Sequence, residues 1–148
     1  MRQSSQKNLA TLLDVKIRSF VFPFIVKNHS PELLDLAEEY YTSSRITTEG
    51  FAFNKFPLRS RYSITGTAVT TDNPIDEYNK LVDIVSLKDL WLIEVFHLVS
   101  DKNTKSAHRD EPYRFFTHIN TFREHIRYIL SKNIPIKTQG QVIAGLAA

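Results

Sequence analysis

Residues 86–100 read SLKDLWLIEVFHLVS, the most continuously apolar stretch of the chain, and the way it folds decides the architecture. Only Lys88, Asp89, Glu94 and His97 interrupt it, so most of its surface must leave water in any secondary structure. Hydrophobic spacing alone does not separate helix from strand in such a run. Ser86 followed three residues later by Asp89 favours a helix start, because a serine oxygen can accept from a first-turn amide and a carboxylate complements the positive end of the helix dipole. The odd-numbered series Trp91, Ile93, Val95 and Val99 favours a strand. The capping signal selects a central helix. On it, Glu94 shares a face with Leu87, Leu90, Trp91 and Leu98 and needs a buried partner.

Working outward, Asn73 and Pro74 open a preceding helix with Asp76 and Glu77 in its first turn and Ile75, Tyr78, Leu81, Val82 and Val85 on one face. Downstream, the spacing of Phe115, Phe116, Ile119, Phe122, Ile126, Ile129 and Leu130 predicts a helix over about 112–132, begun by Glu111 and Pro112 and stopped by Asn133 and Pro135. Arg123 falls on its apolar face, which makes it the expected counter-ion of Glu94 across two packed helices. Arg114, His118, His125 and Lys132 form a stripe on the other face, with Thr121 and Tyr128 beside them. Together with Arg59 and Arg61 near a predicted turn, that stripe is the candidate surface for nucleic acid or another polyanion.

Toward the N-terminus, Leu9, Leu13, Ile17, Phe20 and Phe24 recur at helical spacing from about Ser5, with Pro23 as the break. Ser30, Pro31 and Glu32 start a second helix whose expected buried face is Leu33, Leu34, Ala37, Tyr40 and Tyr41. Between residues 45 and 71, period-two alternation with β-branched and aromatic enrichment predicts one hairpin, 47–54 with 59–69. The expected fold is therefore α+β and mainly α: a single domain of about five helices around a central apolar helix, with one small β-hairpin. Residues 134–148 form a tail of low charge, available for partner contact.

Composition narrows the function. There is no cysteine among 148 residues, which removes disulfides, thiolate nucleophiles and cysteine metal sites. No Gly-x-Ser-x-Gly, phosphate loop or dinucleotide fingerprint is present, and four glycines leave little to build one from. His118 and His125 lie seven residues apart, not the one-turn spacing that shares a metal, so neither metal nor cofactor is expected. The net charge of +3 is arranged in blocks of +4 (1–29), −4 (30–49), +3 (50–70), −5 (71–101) and +5 (102–148), which lets neighbouring segments or subunits offset one another. No secretory signal is evident: the first apolar run meets Asp14 and Lys16 too soon. Arg2, Lys7, Lys16 and Arg18 fit a mitochondrial presequence, but Asp14 and the aromatic content oppose it.

The expected setting is intracellular and cytoplasmic, without a membrane span, because 86–100 is too short and too charged to cross a bilayer. The expected role is a non-enzymatic protein–protein interaction or assembly subunit, homo-oligomeric or with another protein, using Phe20, Phe22, Phe24, Ile134 and Ile136 as contacts. The alternative is nucleic-acid binding through the basic stripe. An enzyme with a scattered site, built on His97 or His118 beside a carboxylate, comes third.

Overall fold

The computed structural model describes residues 2–23, 30–48, 50–102 and 114–146. In chain order the elements are α1 (Arg2–Leu13), β1 (Ser19–Val21), α2 (Pro31–Tyr40), β2 (Ser43–Thr48), β3 (Asn54–Lys55), β4 (Ile64–Ala68) and α3 (Ile75–Leu87). They continue with β5 (Leu90–Trp91), β6 (Glu94–Val95), β7 (Leu98–Ser100), β8 (Phe116–His118), α4 (Ile119–Ser131) and α5 (Gln139–Gly145). β1, β2, β4 and β6 form a four-stranded sheet in that spatial order, every neighbouring pair parallel. Two smaller pairs accompany it, β3 with β5 antiparallel and β7 with β8 parallel. The fold is of the α/β type, which corrects the mainly helical expectation.

The central stretch is the source of that correction. α3 runs through Ser86 to Leu87 and ends at Lys88, and the rest of the run is divided among β5, β6 and β7. The capping signal misleads: Ser86 lies in the last turn of α3, where its hydroxyl donates to Asp83 O, and Asp89 follows the end of that helix, while the odd-numbered alternation marks the strands. The predicted hairpin also fails. The predicted strand 59–69 contains β4, but 47–54 meets β2 only at 47–48, and β2 and β4 run side by side in the same direction, with Arg45 beside Ile64 and Thr48 beside Thr67. Residues 50–63 carry the chain back between them, with β3 on the way.

The first helix is also shorter than its apolar spacing implied. It stops at Leu13, where Asp14 takes a left-handed conformation (φ 49°), and Ile17 and Phe20 lie beyond it, Phe20 in β1. α2 begins at Pro31 as its start signals require, but Leu33 is exposed while Ala37 is buried. The predicted start at Glu111 and Pro112 lies outside the described residues. β8 precedes α4, and Asn133 (φ 54°) terminates that helix.

The core is small. Val69, Tyr78 and Leu81 form its buried centre, with Phe53, Ile75, Leu92 and Phe96 packed around it. Tyr78 binds α3 to the end of β4, since its hydroxyl accepts from Thr70 N and donates to Ala68 O. Asn54 extends the sheet with its side chain: it exchanges hydrogen bonds with both backbone groups of Thr65 and donates to Trp91 O. This amide serves as a short strand between β4 and β5, satisfying groups that burial would otherwise penalise. On the other side of the molecule Gln6 donates to Ile17 O and Tyr40 O, holding α1 against β1 and α2.

Candidate functional site

Glu94 and His125 meet in the interior. β6 presents Glu94 and α4 presents His125, whose Nε2 lies 2.7 Å from Glu94 Oε2. The His125 side chain is fully buried and that of Glu94 only 9% exposed. Asn79, on α3, completes the group with Oδ1 at 2.7 Å from His125 Nδ1. Its amide orientation follows from its other contact: Asn79 Nδ2 donates to Asp76 Oδ1, which as a carboxylate can only accept. Oδ1 therefore faces the imidazole, and Nδ1 carries the hydrogen. A single further proton lies between Nε2 and Oε2. Phe96 and Phe122 close the surroundings, Phe96 packing against both the Phe122 and His125 rings.

The chemistry open to this group is limited by its own hydrogen bonds. A histidine acting as general base needs one nitrogen directed at a substrate or nucleophile, with the other held by an orienting acid. Both nitrogens of His125 are taken by protein partners, and no edge of the ring reaches solvent. The group joins β6, α3 and α4 rather than presenting a proton. Among the described residues Glu94 Oε1 is buried without a hydrogen-bond partner, and His125 is the group that compensates that carboxyl.

The expected partner of Glu94, Arg123, is elsewhere. Arg123 is exposed and contacts Asn120 Oδ1 one turn back at 3.5 Å. The buried side of α4 is rotated relative to its apolar spacing, so that His125 points inward and Leu130, expected inside, is 63% exposed.

The residues of the predicted basic stripe are divided among separate contacts. Arg114 forms an ion pair with Asp72, Lys132 with Asp83 at 2.5 Å, and His118 caps α4 by accepting from Asn120 N with Nδ1. Tyr128 donates to Asp83 at 2.8 Å, and the Lys132 ammonium lies 4.4 Å from the centre of its ring. The face read as a surface for polyanions is thus the one that α4 turns toward α3. Contacts ascend together along both helices, Asn79 with His125 and Asp83 with Tyr128 and Lys132, so the two run in the same direction. Lys132 and Tyr128 hold the Asp83 carboxyl below its ordinary range, and Asp83 in turn raises Lys132. Arg59 and Arg61 are exposed on the connection before β4.

The expected partner contacts divide similarly. Phe22 is 8% exposed, and Phe20 is half-buried between the rings of Phe22 and Tyr41. Phe24 lies outside the described residues. Ile134 is half-buried and Ile136 exposed, while α5 beyond them docks on the body through buried Ile143 and a bond from Gln139 to Ser43. Thr138 and Gln141 close a reciprocal capping box at the start of α5. His97 is exposed and packs on Phe115, with ring centres 4.7 Å apart.

The first helix, expected to dock on the core, presents a more apolar surface than these. Leu9, Leu12, Leu13 and Val15, on and just after α1, are all exposed, Leu12 to 79%. Helical spacing marked Leu9 and Leu13, with Leu12 beside them, as a buried stripe, and the tertiary arrangement leaves them exposed among the described residues.

Among the described residues no group of three metal-ligating side chains is assembled, and no helix is long and apolar enough to cross a membrane. No protein-family model, curated protein or solved structure matches this chain.

Proposed function

We propose that the protein is a non-enzymatic assembly subunit that associates with a second copy of itself through α1. The observation that carries this is the exposed apolar run Leu9, Leu12, Leu13 and Val15. Clustered apolar side chains on one short helix are a recurrent mark of a contact surface, whereas apolar residues exposed singly are ordinary. Charge supports a second copy as the occupant. Residues 1–29 carry +4 and residues 30–49 carry −4, and α2 displays Glu32, Asp35, Glu38 and Glu39 on its exposed side. A two-fold arrangement lets each α1 meet the partner's acidic α2 reciprocally, which closes the assembly at a dimer.

The test is the mass in solution at low and moderate salt. The expected result is a species larger than the 17.1 kDa chain that loosens as salt screens the charges. Leu12→Asp with Leu13→Asp should return it to monomer without altering helical content, since both side chains are exposed. A wild-type chain that stays monomeric at high concentration in both salts overturns the proposal.

A further inference from the structure

The seam between α1, the segment leading into β1 and the end of α2 holds a depression of about 150 Å³ with an apolar floor and a cationic rim. Ala10, Ile17 and Tyr40 supply floor and wall, while Lys7, Lys16 and Arg18 surround them, and no carboxylate lines the space. All three are exposed, and among the described residues their charged side-chain ends take part in no hydrogen bond or ion pair. That sets them apart from Lys80, Arg114 and Lys132, each held by a carboxylate. Glu39, the neighbour of Tyr40 on α2, raises the pKa of the Tyr40 hydroxyl.

The depression is also built rather than incidental. Gln6 fastens α1 to Ile17 O and Tyr40 O, at 3.0 and 2.9 Å. Thr42 ties the end of α2 to Arg18 O through both its amide and its hydroxyl, at 2.7 and 2.9 Å. Three segments that could otherwise part are thus held around one concave space.

We infer that this depression binds a small organic phosphomonoester, its apolar body against Ala10, Ile17 and Tyr40 and its dianionic head among Lys7, Lys16 and Arg18. Two features select this class. Lys7, Lys16 and Arg18 all line this one space, a charge that matches a phosphomonoester better than a single carboxylate, and an arginine beside lysines offers the paired donors that phosphate oxygens accept. The volume and the apolar floor suit a single ring or short chain rather than a polymer. The inference does not rest on self-association, because none of Leu9, Leu12, Leu13 and Val15 lines the depression.

Phenyl phosphate is a direct probe, titrated into the full-length protein with calorimetry and with backbone amide shifts in NMR. Saturable binding at one site is expected, with shifts concentrated at residues 6–10, 16–18 and 40–42. Lys16→Ala with Arg18→Ala should weaken it about tenfold or more, the scale of losing charge-assisted hydrogen bonds. Ala10→Phe, which fills the floor and leaves every charge in place, should also abolish it, whereas Arg59→Ala with Arg61→Ala should not change it. Inorganic phosphate should bind more weakly than phenyl phosphate, and phenol should not bind. Absence of saturable wild-type binding, or shifts that map elsewhere, would overturn the inference. So would equal binding by the Ala10→Phe variant, or binding only to vesicles of anionic lipid. The wild-type shift map decides the matter even should a variant fail to fold.

Discussion

Replacing His125 by alanine takes away the one group that compensates a buried carboxyl. Among the described residues Glu94 then keeps no hydrogen bond on either oxygen, and Asn79 Oδ1 loses its donor. Breaking a buried pair on one side is costly because the orphaned partner retains its desolvation penalty, so His125→Ala should destabilise the fold by about 3–5 kcal/mol in urea unfolding. Glu94→Gln should cost much less, about 1 kcal/mol, since the new amide can donate to Nε2 of an imidazole already protonated on Nδ1. Equal losses for the two variants would refute this account of the proton positions. The sequence identified Glu94 as a carboxyl in need of a partner, and that need is a property of its apolar neighbours alone. It named Arg123 as the partner because an arginine among phenylalanines and isoleucines looked misplaced. Which of two candidates reaches Glu94 depends on the rotation of α4 about its axis, and that is set by contacts with α3 and β6.

At the scale of the element, the seam between α3 and α4 is held by polar side chains at helical spacing. Asn79 and Asp83 stand one turn apart on α3 and meet His125, Tyr128 and Lys132 on α4. The Asp83 carboxyl is depressed from its ordinary value of 3.8, chiefly by Lys132 and then by Tyr128. Its contribution is therefore complete above that value and lost as pH falls through the lower folded one. Lys132 is raised from 10.5 by Asp83, so the same pair contributes fully below 10.5 and is lost as pH rises through the higher folded value. Asp83→Asn should accordingly flatten the acid limb of a stability profile below pH about 4 while leaving the profile at neutral pH level, as followed by thermal melts. Both groups are solvated, so the effect should be small and should shrink with added salt. The stripe on α4 was legible as a stripe. Its direction was not, because basic and aromatic residues at this spacing suit a solvated face and a polar helix–helix seam equally well.

Across the whole molecule, the sheet binds together segments far apart in the chain, and α5 closes it from the C-terminal side. Ile143 is buried and Gln139 reaches Ser43, itself bonded to Ser19 on β1. Ile143→Ala should lower stability by roughly 2–4 kcal/mol, the cost of an emptied core position, and a chain ending at Asn133 should lose at least as much. A change under half a kcal/mol in either would mean that α5 is an appendage and not part of the fold. The sequence by itself determined where α2 and α3 begin, where α4 ends, that strands occupy the region around residues 45–69, and that no cysteine or glycine-rich chemistry is present. Those features are local: a proline at a helix start, a left-handed asparagine, alternation along a few residues. Contacts between distant segments decided that three short strands lie within residues 90–100, that β2 and β4 run parallel, that His125 faces inward and that α1 leaves its leucines exposed. In each case the deciding energy comes from a neighbour distant in the chain, and spacing within a single segment carries no record of which neighbour that will be.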